Sequence, residues 1–187
     1  MSAQQNVKLA NPGPLGLLGF GMTTVLLNLH NSGLMPELSI VIIAMGIALG
    51  GLAQFIAGIR EMKQGNTFAG TAFTAYGLVW WSLVLIWVKP FGFEAATEMA
   101  MGYYLLLWGI FTAFMFVGTL KHNKATQVVF GSLTVLFFLL AIGDFTGIHL
   151  IKTIAGFEGI FCGLSAIYSA MGQILNAEYG KEIIPLG

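Results

Sequence analysis

The sequence predicts an all-α integral membrane protein, and three observations carry that prediction. Hydrophobic residues make up 57% of the 187 and charged residues only 9%, at a mean hydropathy of +0.83. A water-soluble domain carries about 25% charged residues. Six apolar runs, each near the ~20 residues that cross a bilayer as helix, follow one another with short connections. The strict alternation of membrane barrel strands is missing. The expected organisation is a polar tail at 1–10, a six-helix membrane domain at 11–176 and a second tail at 177–187.

The first run, Leu15–Asn31, is entered through Asn11-Pro12-Gly13-Pro14-Leu15-Gly16-Leu17. Asparagine is a preferred helix N-cap and proline suits the first helical turn. A helix start carries free amide donors and partial positive charge, so it can attract an anion without lysine or arginine. The same residues also read as a stiff N-cap that stops the helix at the interface. Within this run stand Thr23, Thr24, Asn28 and His30.

The second run, Leu38–Ile59, holds the isolated amide Gln54, and Gly46 and Gly50 four apart suggest a tight helix contact. Arg60, Glu61 and Lys63 follow and read as an ordinary loop. The third run, Thr67–Val88, opens after Asn66 and carries Thr71, Thr74, Tyr76 and Ser82; the fourth, Met99–Leu120, offers Thr112. The fifth, Thr126–Gly143, opens after Asn123 and ends beside Asp144. The sixth, Leu150–Leu175, contains Glu158, Gly159, Gly163 and Cys162, the single cysteine, read as a small buried hydrophobe. Glu158 is the one acid well inside a run. Three readings stand for it: a proton carrier, a vestibule lining, or a partner of Lys152. His30 and Asp144 are further proton-coupling candidates near the ends of their runs.

Positive charge sets orientation. Lys8, Arg60, Lys63, Lys121, Lys124 and Lys181 fall on the side of the termini, against Lys89 and Lys152 on the other. Both termini are therefore expected in the cytoplasm. The polar first ten residues show no signal peptide. The formal net charge of zero gives no support to nucleic-acid binding. His30, His122 and His149 lack the spacing of metal ligands on one helix, and no phosphate loop follows a strand, so neither an enzyme nor a cofactor is expected.

Asn11, Asn66 and Asn123 recur at spacings of 55 and 57, and Phe20, Tyr76 and Leu133 at 56 and 57. This suggests three helical hairpins of one pattern around a pseudo-threefold axis, with three bulky side chains at one depth.

The residues resemble a known family. NPGPLGL looks like the NPAPLGL signature of the acetate uptake transporters, the group of the succinate–acetate permeases. The match continues through LGFGMTTVLLNLHN at 18–31, GGLAQFIAG at 50–58, GNTFAGTAFTAYG at 65–77, LWGIFTAFMFVGTLK at 107–121, SLTVLFFLLAIGD at 132–144 and CGLSAIYSAMGQILN at 162–176. Gly13 stands where the family usually has alanine, and Val79 where it has a phenylalanine.

The resemblance implies a homohexamer in the cytoplasmic (inner) membrane, a separate pore in each protomer, and proton-coupled or channel-like passage of acetate and related carboxylates, possibly succinate. It implies that Phe20, Tyr76 and Leu133 form the constriction. On this reading Asn11, Asn66 and Thr67 serve the substrate on the inner side. Gln54, Thr23, Thr24, Thr71 and Thr74 replace its lost water near the middle. A pore for formate, ammonium or water is the alternative.

Overall fold

The computed structural model describes residues 9–35, 37 and 40–187. Lys8 and Leu38, used above for charge balance and for a run boundary, lie outside them. Six long helices account for nearly all of the described chain: α1 Gly13–Asn31, α2 Ile40–Lys63, α3 Thr67–Val88, α4 Glu98–Thr119, α5 Lys124–Thr146 and α6 His149–Tyr179. Strands are absent among the described residues. The helices from α2 to α6 are long and apolar enough to cross a membrane. α1 falls outside that set; its 19 residues include the buried polar side chains of Thr23, Thr24 and Asn28.

The helices pack in a closed ring in chain order, with α1 returning to α6. Small residues make the tightest seams. A Cβ at Gly163 would meet the Gly21 carbonyl at 2.7 Å, and one at Gly159 would overlap Asn28, so α6 rides close on α1. Gly50 of α2 gives room to Trp80 of α3, 2.7 Å from where a Cβ would sit. Gly46 and Gly50, like Gly159 and Gly163 with the same spacing, therefore lie at close helix contacts. The α3–α4 seam is wider and is filled by large rings instead. Tyr76 stacks near Phe111 at 5.6 Å and Trp108 at 6.5 Å.

α2 is not a plain α-helix. From Gly46 to Ala53 it widens into a π-helix. Neighbours use backbone groups of this stretch: Trp81 Nε1 donates to the Ile47 carbonyl at 3.0 Å, and the Leu49 carbonyl lies against Gly19. Glycines at 46, 50 and 51 permit such close approach. π segments are rare and recur at functional sites. Gln54 is the first residue after this one.

The asparagines act at three helix starts. Asn66 accepts from the Ala69 amide at 3.1 Å and Asn123 from the Thr126 amide at 2.9 Å. Asn11 accepts from the Gly13 amide at 2.9 Å, with Pro12 in between as the boundary residue. These starts gather at one end of the ring. Ala10 bonds the Gln64 side chain there, and the Gly187 carbonyl accepts from the Lys124 amide.

α6 runs to Tyr179, beyond the expected end at Leu175. Its 31 residues extend about 46 Å, well past a ~30 Å hydrocarbon core. The chain then folds back. Asn176 Oδ1 accepts from the amides of Ile183 and Ile184 and its Nδ2 donates to the Ile184 carbonyl, which fixes the tail against the bundle.

Candidate functional site

Two cavities open inside the ring. One, of ≈ 280 Å³, lies toward the asparagine caps. Its polar lining is Asn11, Gln54, Glu61, Asn66, His122, Asn123, Thr126 and Gln173; it is called the amide cavity below. The other, of ≈ 260 Å³, is walled mainly by leucines and by Trp80, Trp87 and Phe137. Its few polar members are Thr24, Asn28, Asn31, Asp144 and Lys152; it is called the apolar cavity.

Phe20, Tyr76 and Leu133 border both cavities, and no other described residue is shared. All three are buried, and the Phe20 and Tyr76 rings lie 6.3 Å apart. Tyr76 is held in place: its hydroxyl donates to Thr112 Oγ1 at 2.9 Å, and Thr112 in turn donates to the Trp108 carbonyl at 2.7 Å. The phenol of Tyr76 is thereby satisfied away from the cavities and its ring is left as wall.

Polar side chains flank this apolar ring. Gln54 is 0% exposed. Its Nε2 donates to the Gly50 carbonyl at 2.8 Å, which leaves Oε1 buried without a partner. On the other side, Thr24 Oγ1 is likewise buried and unpartnered. A buried acceptor without a donor costs roughly 1–3 kcal/mol. Asn28 is fully buried at the apolar cavity; its amide donates to the Thr24 carbonyl and receives Asn31.

The other polar residues anticipated along the pathway are placed differently. Thr23 lines neither cavity and spends its hydroxyl on the Gly19 carbonyl at 2.8 Å. Thr67 and Thr71 are exposed on α3. Thr74 is half-buried against Gly58, outside both cavities. His30 contacts the Met35 carbonyl at 3.1 Å and also borders neither. Glu158 is half-buried beside Cys162, with Oε2 unpartnered and away from both cavities. It does not pair with Lys152. That lysine binds Asp144 at 2.8 Å and Glu98 at 2.9 Å, tying the adjacent ends of α4, α5 and α6 at the apolar cavity. Asp144 sits at the end of α5 and Glu98 at the start of α4, both within reach of the first turn of α6, whereas Glu158 is more than a turn further along.

Glu61 is the site residue that the sequence reading passed over. It is not in a loop but in the last turn of α2, only 5% exposed, with its carboxylate in the amide cavity. The available signal was spacing: Glu61 lies seven residues after Gln54, two turns on along the same helix face. Gln173 was also missed as a partner; its Oε1 accepts from Asn11 Nδ2 at 3.1 Å and links α6 to the start of α1. Among the described residues, groups of acidic, histidine or cysteine side chains able to hold a metal are absent.

A ring of six helices with five of spanning character, enclosing two cavities that share one apolar partition, defines a multi-pass helical membrane protein with its site inside the bundle. The comparisons narrow that class. The chain belongs to the GPR1/FUN34/yaaH family, whose model matches residues 1–184. It is 55% identical over 184 residues to the succinate-acetate/proton symporter SatP of Escherichia coli (strain K12), covering 97% of each chain. It is 38% identical over 180 residues to ammonia transport outward protein 2 of Saccharomyces cerevisiae, covering 91% of this chain and 64% of that one. Among solved structures, the bacterial acetate channel SatP superposes with a TM-score of 0.94 at 55% identity, over 96% of this chain and all of that one.

Proposed function

We propose that this chain carries acetate and related short-chain carboxylates, succinate among them, across the cytoplasmic membrane together with protons. It is a transport protein and not an enzyme. The observation that carries the reading is the partition: among the described residues, Phe20, Tyr76 and Leu133 are the ones common to the two cavities. Opening that partition joins the cavities into one path through the protomer. The strong likeness to the proteins named for succinate, acetate and protons supports the choice of cargo.

In this reading six spans form three hairpins around the path. The membrane domain is 11–176 between tails at 1–10 and 177–187, both termini are cytoplasmic, and six copies assemble in the bilayer. The amide cavity is then the inner one. Asn11, Asn66 and the first turns of α1 and α3 face a carboxylate there with donors and positive helix ends. Binding without lysine or arginine is weak enough to permit exit.

At the partition the cargo is the neutral acid. An ion would lose its water against three apolar side chains at a cost of many kcal/mol, whereas a protonated acid loses far less. Its hydroxyl supplies the donor that Gln54 Oε1 lacks, and Thr24 Oγ1 offers the next polar contact on the far side. Of the proton-coupling candidates, Asp144 borders the path through the ion pair with Lys152; Glu158 and His30 would have to act from outside it.

Radiolabelled acetate uptake by proteoliposomes, with formate, lactate, succinate and ammonium as competitors, tests the reading. Saturable acetate uptake above protein-free vesicles, inhibited by succinate and stimulated by an inward proton gradient, is expected. Ammonium flux without carboxylate flux would overturn it.

A further inference from the structure

The amide cavity of an anion pathway contains a carboxylate of its own. Glu61 is buried there, and Asn66 Nδ2 donates to its Oε2 at 2.8 Å. Its other oxygen reaches the start of α1. A Cβ placed on Gly13 would lie 3.0 Å from Asn11 Oδ1, 3.4 Å from Gln173 Oε1 and 3.5 Å from Glu61 Oε1. Three acceptor oxygens from three separate segments thus converge on one small space left by a glycine. Asn11 Oδ1 is served by the Gly13 amide and Gln173 Oε1 by Asn11 Nδ2. What the cluster lacks is a further hydrogen donor.

Among the described residues no cation pairs with Glu61. Among the described residues the only ion pairs are those of Lys152, at the other cavity. The charged neighbours on its own helix are Arg60 and Lys63, both exposed. The segments packed around it present amides only, Asn11, Asn66 and Gln173. His122 and Tyr76 are the other titratable side chains among the described residues lining the cavity, and the Tyr76 hydroxyl is spent on Thr112. Glu61 therefore occupies the place a substrate carboxylate would take, bound by the asparagine that caps α3.

We infer that Glu61 is the proton-exchange group of the inner mouth, and that substrate and proton share the Glu61–Asn66 site. This rests on the carboxylate-transport reading above. A neutral acid that has passed the partition gives its hydroxyl proton to the Glu61 carboxylate. The products are a carboxylate anion, held by the amides and helix starts, and a protonated Glu61, which donates to it. Proton loss from Glu61 to the cytoplasm restores the negative charge and repels the anion from the site. The reverse order loads the path from inside. A proton thus crosses with each acid, and no oxidant or second reactant is needed.

The test compares wild-type protein with Glu61→Gln and Glu61→Asp in proteoliposomes, using labelled acetate and subtracting protein-free vesicles. Two quantities are read: uptake driven by an inward proton gradient, and acetate exchange at equal pH on both sides. Glutamine keeps the acceptor for Asn66 but cannot release a proton. Loss of the gradient-driven component in Glu61→Gln, with exchange lowered but measurable, and recovery of that component in Glu61→Asp, is the expected result. A Glu61→Gln protein that answers the gradient as wild type does overturns the inference. So do both variants losing gradient-driven uptake and exchange alike while eluting as folded oligomer, because that pattern belongs to a structural role. Wild-type protein inactive in both assays removes the transport reading, and this inference with it. As a second readout, acetate binding should raise an infrared band of a protonated carboxyl group in wild type and not in Glu61→Gln.

Discussion

The amide cavity, ≈ 280 Å³, is lined by five side-chain amides, Asn11, Gln54, Asn66, Asn123 and Gln173, while the apolar cavity, ≈ 260 Å³, has two, Asn28 and Asn31, among leucines and aromatic rings. Similar volumes therefore offer different solvation. The first can replace the water of an anion with hydrogen bonds. The second suits a methyl group or a neutral acid and keeps its charges, Asp144 and Lys152, tied to each other. On the proposed function, the difference means that a short carboxylate would need its proton on one side of the partition and could leave it on the other. Polarity changes at Phe20, Tyr76 and Leu133 rather than at the mouths.

The largest effect is expected from removing the partition. Phe20→Ala or Leu133→Ala merges the two cavities, and the ratio of succinate to acetate uptake should rise in both, since acetate already fits. Truncation also costs about 2–5 kcal/mol where the ring packs, measurable as a fall in thermal midpoint in detergent. A fall in stability with no shared change in selectivity would mean that the partition is packing alone.

Gln54→Leu tests the edge of the amide cavity. It removes the unpartnered acceptor on the amide-cavity side of the partition and leaves the helix intact. Acetate uptake should drop by roughly tenfold, the equivalent of one lost hydrogen bond of about 1–1.5 kcal/mol in a dry site. Unchanged uptake would assign the crossing acid to another partner, with Thr24 next in line.

Asn11→Ala is milder. It frees the Gly13 amide and breaks the link to Gln173. A lost cap of this kind costs about 0.5–2 kcal/mol, so uptake should fall several-fold while the oligomer persists on size-exclusion chromatography. Retained uptake would return NPGPLGL to a stiff helix entry.

The smallest effect belongs to Lys152→Met at the apolar cavity. Its partners are partly exposed, and such pairs contribute about 0–1 kcal/mol. Stability should hardly move, and any change in uptake should shrink with added salt. A salt-independent loss larger than that of Asn11→Ala would reverse the ranking of the two cavities.

Much of this was legible in the sequence because it depends on period and length. α3 begins and ends where hydropathy put it, at Thr67 and Val88, and Asn66 and Asn123 cap as composition suggested. Phe20, Tyr76 and Leu133 came from recurrence and from the family resemblance together, and they share one location in the structure. What hydropathy cannot carry is azimuth. Thr24 and Thr71 look alike in sequence, yet one borders a cavity and the other faces outward. Glu61 was hidden by its charged neighbours, which made a buried last turn resemble a loop. The Lys152 pairing was decided by the order of helix ends, a matter of tertiary contact that no local pattern holds.

The π-helix of α2 has a consequence for how this chain tolerates change in length. A widened turn holds more residues than the rise of the helix needs, so the face presented beyond it depends on a residue count. Deleting one of Gly46–Ala53 lets a widened turn close to an α-turn, which absorbs the loss, whereas a residue added to the segment meets no such slack and turns the remainder of the helix by about 100°. Gln54 and Glu61 lie downstream on the same face and would swing out of the amide cavity together, with every side chain chemically unaltered. An insertion here acts as a phase shift that a single deletion does not, and a substitution scan of the same residues would reveal neither.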